Sequence, residues 1–97
     1  MAVYHNTLGV ALYRAGKFQE ALAPLSKSLE GSQGRADGFD LLVLAMCHHR
    51  LGNAAAARDH FDQAVRWLEQ KGPQLPAAWR RDLAAFRGEA EELLGPR

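Results

Sequence analysis

NTLGVALYRAGKFQEALAPLSKSL, from Asn6 to Leu29, is the stretch that decides the expected fold, because a related stretch runs from Leu42 to Val65. The relation is one of spacing, and matching positions such as Gly16 and Gly52 lie 36 residues apart. The matched residues are Leu8, Gly9, Ala11, Gly16, Phe18, Ala21, Leu25 and Ser28 in the first stretch, and Leu44, Ala45, Cys47, Gly52, Ala54, Ala57, Phe61 and Ala64 in the second. A fixed period of this size is typical of stacked helical repeats.

The two stretches resemble the tetratricopeptide repeat (TPR), a helix-turn-helix unit of about 34 residues with the pattern W-x2-L-G-x2-Y, then A-x3-F, then P. The matches are Leu8-Gly9-x2-Leu12 and Ala21-x3-Leu25 in the first copy, and Leu44-Ala45-x2-His48 and Ala57-x3-Phe61 in the second. The departures are His5 and Leu41 at the Trp position, and Gln33 and Glu69 at the Pro position. The resemblance implies a right-handed superhelix of helical hairpins, whose concave groove receives a protein or peptide segment.

The chain is expected to be all-α and to form a single TPR-like domain over residues 1–97. Apolar residues recur at three- and four-residue spacing, as the buried stripe of a helix requires. Gly16 supplies the left-handed position that ends a helix, and Gly52 breaks the third helix at the matching place. The expected parts are repeat 1 over about 2–33 (helices 2–15 and 17–30), repeat 2 over about 37–70 (helices 38–51 and 54–70), a linker over 71–75, and a helix over 76–94.

The helix expected over 76–94 begins with Pro76 near its first position, where proline is favoured, and is stopped by Gly95-Pro96. Its apolar stripe comprises Trp79, Leu83, Phe86, Ala90, Leu93 and Leu94. It resembles the extra helix that covers the last hairpin of such arrays, because a stack of hairpins leaves an apolar face at its end. The sequence therefore predicts a C-terminal capping helix.

Composition argues against several classes of partner. The net charge is +1, and the longest basic run is the Arg80-Arg81 pair, so neither nucleic acid nor an anionic membrane is expected to bind. The longest apolar run extends only from Leu41 to Cys47, far short of the ~20 residues that a membrane span needs. A single cysteine cannot form an internal disulfide and fits a reducing compartment. We therefore expect a cytoplasmic location.

No pattern of catalytic or metal-binding residues is found in the sequence. Cys47, His48 and His49 are consecutive, and successive side chains on a helix point about 100° apart, so the three cannot hold one ion. The spacings of common zinc and phosphate sites are missing, and the glutamates of segment 89–92 are expected to form a solvated face. The sequence predicts neither an enzyme nor a bound metal or cofactor. By its matched position, Cys47 is expected to be a small buried residue.

The candidate binding groove follows from helical geometry together with the resemblance, which assigns it to the inner faces of the first and third helices. The predicted groove residues are Asn6, Val10, Tyr13, Arg14, Phe39, Leu42, Met46, His49 and Arg50, with Val3 at one end. Arg14 and Arg50 occupy matching places and could form a short ladder for the carboxylates of an acidic peptide. The alternative is that both are solvated cations at helix C-termini, where the helix dipole favours them.

Two further surfaces suggest association. Phe39, Leu42 and Met46 are apolar and require a cover, which could be the fifth helix folding back, a partner peptide or a second copy of the chain. The predicted self-association edge is Tyr4, Leu8 and Leu12 on the first helix, which no preceding hairpin shields. Two function hypotheses therefore remain open: a non-catalytic scaffold that binds a protein or peptide segment, and a self-assembling structural module (a homodimer or larger homo-oligomer). For the self-assembling module, the resemblance implies that the chain could belong to a larger bacterial signalling protein.

Overall fold

The computed structural model describes residues 2–32 and 37–95, with side chains described for 8–30 and 38–95, and it is helical along most of that length. The elements are α1 (Ala2–Arg14), α2 (Phe18–Ser32), α3 (Asp37–Arg50), α4 (Ala54–Lys71), a 3-10 turn (Gly72–Gln74) and α5 (Ala77–Leu94). No strand occurs within these two ranges. The predicted all-α class with five helices is confirmed. Helix ends lie within two residues of their expected positions, and the predicted linker 71–75 holds the last residue of α4 and the 3-10 turn.

The turns that join α1 to α2 and α3 to α4 are built in the same way. Gly16 and Gly52 have φ angles of 82° and 88°, a left-handed conformation that residues with a side chain rarely adopt. The bonds that close the turns run from Lys17 N to Leu12 O at 2.9 Å and from Asn53 N to His48 O at 2.8 Å. Both bonds connect matching positions 36 residues apart, so the sequence period extends to the backbone of the two turns.

Helices α1 and α2 pack closely at Gly9. A methyl group at Gly9 would lie 2.4 Å from Cγ of Leu25, so only glycine fits there without displacing that side chain. Leu25 and Ala21 are fully buried beside it. In the second hairpin the matched Ala45 and Ala57 are also fully buried. The matched positions of the two hairpins therefore hold small, buried residues.

Helix α3 is the centre of the molecule. Every residue from Gly38 to Cys47, apart from half-buried Phe39, is buried. Within its hairpin α3 packs against α4, and it also packs against α2 and α5. Helix α5 makes few contacts with α4, its neighbour in the chain. It therefore packs on α3 instead of on α4.

Candidate functional site

We call the surface formed by the predicted groove residues with described side chains the α1/α3 face. It comprises Val10, Tyr13, Arg14, Phe39, Leu42, Met46, His49 and Arg50. Leu42 and Met46 are fully buried, and Tyr13 is 8% exposed. These three residues belong to the core in this structure, which corrects the expectation that they line an open groove. Asn6 lies within α1, but its side chain falls outside the described part of the chain.

An aromatic cluster joins the α1/α3 face to α5. The ring of Phe39 meets Trp79 edge-on, with centroids 6.1 Å apart, and meets Phe86 edge-on at 5.9 Å. Edge-to-face pairs at these distances are attractive beyond the area they bury. Trp79 nevertheless remains 41% exposed, so α5 is only partly covered at this end. Of the three candidate covers for Phe39, the structure shows the fifth helix.

Arg14 and Glu89 form the polar contact between α1 and α5. Arg14 Nη1 donates to Glu89 Oε1 at 2.7 Å, and Nη2 donates to Oε2 at 2.9 Å, so the guanidinium binds the carboxylate in a bidentate manner. The guanidinium carbon also lies 5.4 Å from the ring centroid of Phe86. The hydrogen bond to Glu89 raises the pKa of Arg14 above its ordinary value. A carboxylate from the same chain thus occupies the place that the sequence predicts for a ligand carboxylate.

Arg50, the second arginine of the predicted ladder, has different neighbours. Its guanidinium carbon lies 5.8 Å from the ring centroid of Phe18, at the start of α2. It forms no ion pair with any residue whose side chain is described. An open cavity of about 270 Å³ adjoins it, lined by Tyr13, Arg50, Glu89, Glu92 and Leu93. At this end of the α1/α3 face a cation therefore remains accessible beside the end of α5.

Tyr13 ties the first helix to the third below this surface. Its hydroxyl donates to Met46 Sδ at 3.5 Å, a weak bond between buried groups. Its ring also lies 5.4 Å from that of Phe18, centroid to centroid. Tyr13 therefore acts in the structure as a packing residue, and it also lines the cavity beside Arg50.

The predicted self-association edge is only partly described. Leu8 is 41% exposed and Leu12 is half-buried, whereas the side chain of Tyr4 is outside the described set. At the position matching Leu8 in the second hairpin, Leu44 is 2% exposed, on a helix that packs against α2, α4 and α5. The edge of α1 is thus an apolar surface that has a covered counterpart elsewhere in the molecule.

The histidine and cysteine side chains of α3 and α4 show no arrangement for catalysis. His48 and His60 stack with centroids 5.0 Å apart, and His60 Nδ1 donates to the Ala56 carbonyl at 2.8 Å. Burial, and secondarily the charge of His60, lower the pKa of His48. Cys47 is fully buried, and burial raises the pKa of its thiol to about 11, so it is protonated at neutral pH. Among the side chains described, no three His, Cys, Asp or Glu residues are placed to hold a metal ion.

A second cleft, of about 510 Å³, separates α4 from the C-terminal half of α5. Its lining combines three arginines with three acids around Phe61 and Val65: Arg58, Arg66, Arg87, Asp62, Glu69 and Glu91. Arg58 crosses the cleft and donates to the Gly95 carbonyl at 3.3 Å. A polar outer surface of this kind is what the last unit of a helical stack needs for solubility. We interpret the cleft as the solvated end of the fold.

The sequence did not reveal the role of Glu89. The glutamates near the end of α5 were expected to form a solvated face, whereas Glu89 binds Arg14. Trp79 and Phe86 were expected in the apolar stripe of a cap, and the structure brings both onto Phe39. The available signal was the spacing of Trp79, Phe86 and Glu89, which puts an acid beside two aromatic residues on one side of the helix.

No protein-family model, curated protein or solved structure matches this chain. None of the helices in the described ranges combines the length and the apolar character that crossing a membrane requires.

Proposed function

We propose that this protein is a non-catalytic scaffold of the tetratricopeptide type, which binds a protein or peptide segment on its α1/α3 face. The observation that carries the proposal is the composition of that face: an aromatic residue, Phe39, and two arginines at matching positions, Arg14 and Arg50. Arg14 already binds a carboxylate, that of Glu89, and Arg50 borders an open cavity. An arginine fork recognises carboxylates specifically, and an aromatic anchor supplies most of the apolar contact area.

Support for the tetratricopeptide arrangement comes from the correspondence of the two hairpins. Their turns use the same closing hydrogen bonds and the same left-handed glycine, 36 residues apart. The small residues at the helix contacts also correspond. In such an arrangement the first helices of successive hairpins line the inner surface, which places α1 and α3 on the binding side. The partner that suits Arg14 and Arg50 is an acidic protein or peptide segment.

The scaffold proposal is tested by titrating acidic helical and extended peptides against the wild-type chain and the double variant Arg14→Glu/Arg50→Glu. The proposal predicts that binding is lost or weakened by about tenfold, since two attractive charge contacts become repulsive. Arg81→Glu is the matched control, because Arg81 is an exposed arginine on the fifth helix. Equal binding by the wild type and the double variant would remove the arginine pair from the proposal.

A second candidate function, self-assembly, is favoured by the exposure of Leu8 on the edge of α1. Leu44, at the matching position, is covered within the fold, which supports the idea that this edge is suited to being covered. Light scattering over a range of concentrations tests the candidate. Self-assembly predicts a mass that rises with concentration and falls to the monomer value in Leu8→Glu, but not in Ala23→Glu, a control at an exposed position of α2. A constant monomer mass would contradict it.

A further inference from the structure

We infer that α5 is an intramolecular ligand of the α1/α3 face, and that the external partner is an amphipathic helix carrying the same three contact groups. Those groups are two aromatic residues seven positions apart and a glutamate three positions further on, as in Trp79, Phe86 and Glu89. The inference rests on the proposed function, because it specifies which helix the proposed binding face accepts. It adds that the partner must displace α5.

The three contact groups lie on one side of α5. At about 100° per residue, positions separated by seven and by ten fall within about 80° of each other around the helix. Trp79 and Phe86 both meet the ring of Phe39, and Glu89 meets Arg14. The contact surface on α1 and α3 is therefore an aromatic site followed by a cationic site. Any helix that presents aromatic, aromatic and acidic groups in this order satisfies both.

Helix α5 is held more lightly than α3, the helix on which it packs. Of its 18 residues only Leu83 and Ala90 are buried, and the Trp79 side chain is 41% exposed. The ion pair between Arg14 and Glu89 is half exposed, and exposed pairs contribute little to stability. Elements with few buried contacts open at lower free energy than the core. Helix α5 should therefore detach more readily than α3.

The connection to α4 permits such a movement. The 3-10 turn Gly72–Gln74 buries none of its residues, and Pro73, Gln74 and Pro76 are exposed. Gly72 and Leu75 in this segment are half-buried. Helix α5 also contacts α4 little, so its departure leaves the packing of α3 against α4 in place. Displacement therefore exposes the α1/α3 face and leaves both hairpins assembled.

Competition follows from these contacts. An external helix binds only the fraction of molecules in which α5 is detached, so its apparent dissociation constant is the intrinsic constant divided by that fraction. Weakening the contacts of α5 raises the detached fraction and makes the face bind an external helix more tightly. Damage to the face itself has the opposite effect. If α5 is an internal ligand, the affinity for an external helix rises when the contacts of α5 are weakened and falls when the face is damaged. A purely structural helix would not give these opposite changes in affinity.

The test uses the full chain and a fluorescent peptide with the sequence of residues 76–95 as the probe. Fluorescence anisotropy should show that Phe86→Ala, which weakens only the chain's own α5, binds the peptide at least about tenfold more tightly than the wild type. Glu89→Arg, at a partly exposed position, should tighten binding by about threefold. Arg81→Ala, an exposed change on the same helix, is the control and should leave the affinity unchanged. Circular dichroism checks that each variant remains helical.

A charge reversal identifies the binding position. The Arg14→Glu chain should prefer a peptide carrying Glu89→Arg over the wild-type peptide, and the wild-type chain should show the opposite preference. If Phe86→Ala fails to fold, this reversal and Glu89→Arg decide the question, since neither changes a core residue.

Equal peptide affinity in the wild type, Phe86→Ala and Glu89→Arg chains would overturn the inference, as would the absence of peptide binding or of the preference reversal. These failures are distinguishable from failure of the scaffold proposal. If other acidic peptides bind and Arg14→Glu/Arg50→Glu weakens them, the scaffold proposal stands without an internal ligand. If no peptide binds even the Phe86→Ala chain, both fail.

Discussion

Helices α1 and α3 occupy equivalent places in the two hairpins, yet one is partly exposed and the other is almost wholly buried. Leu8 is 41% exposed, whereas its match Leu44 is 2% exposed. Ala11 is exposed, whereas its match Cys47 is fully buried. The two sequences have the same spacing, so the difference arises from their neighbours: besides the other helix of its hairpin, α3 packs against both α2 and α5, whereas α1 packs mainly against α2. The comparison shows that a shared pattern can specify the hairpin without determining which of its faces is covered.

The largest difference between the two helices should appear on truncation of matched leucines. Leu44→Ala is expected to lower the free energy of unfolding by about 2–5 kcal/mol, because it leaves a cavity in the core. Leu8→Ala is expected to lower it by less than about 1 kcal/mol, because the side chain already contacts solvent. Urea denaturation of both variants measures the difference. Equal losses would show that the edge of α1 is covered in solution, as self-assembly requires.

The matching position in the second hairpin holds alanine, Ala45. At Gly9, however, the close contact of α1 with α2 should make an added methyl group destabilising. Gly9→Ala places Cβ against the buried Leu25 side chain, and overpacking of this kind costs about 1–3 kcal/mol. The better helix propensity of alanine offsets up to about 1 kcal/mol of this loss in stability. A modest net loss in thermal stability is expected, although alanine stands at the matching position 45. A gain in melting temperature would contradict the packing described here.

Position 48 introduces a pH dependence that the first hairpin lacks, since the matching residue is Leu12. The pKa of His48 is lowered in the folded state, mainly by burial, so below about pH 6.5 the unfolded chain binds more protons. Stability should therefore decline as the pH falls through that region. Denaturation at pH 7.5 and 5.5 tests this, with His48→Leu as the comparison. The decline should be smaller in His48→Leu, and an equal decline would assign it to other groups.

The smallest expected effect is the difference in stability between variants of the two arginines, Arg14 and Arg50. Arg14→Gln removes the forked bond to Glu89 and should destabilise the fold by up to about 1 kcal/mol, a contribution limited by the exposure of both groups. Arg50→Gln should change stability less, because Arg50 has no ion pair among the described side chains. Added salt should reduce the Arg14 effect. If the two variants are equally stable at low salt, the pair between α1 and α5 is not formed in solution.

The sequence was sufficient to predict the helices and the turns because those depend on local chemistry. Gly16 and Gly52 adopt the left-handed conformation expected of Gly16 and end their helices at matching places. Apolar periodicity did not locate the buried side of α1, where Leu8 and Ala11 are exposed and Tyr13 is buried. The position of α5 could not be predicted, since its apolar stripe alone does not specify whether α3 or α4 receives it. What distinguishes the two sides is the fit of Phe39 and Arg14 to Trp79, Phe86 and Glu89, and that fit involves residues distant in the sequence. The arginine ladder stays a prediction: Arg14 binds a carboxylate of the same chain, and Arg50 borders an open cavity.

The position of α5 on the α1/α3 face is the central claim, and NMR spectroscopy of the full chain tests it most directly. The account predicts nuclear Overhauser contacts from the Phe39 ring to both Trp79 and Phe86, together with faster amide hydrogen exchange in α5 than in α3. Contacts from Trp79 and Phe86 to the outer side of α4, near Val65, with none to Phe39, would contradict it.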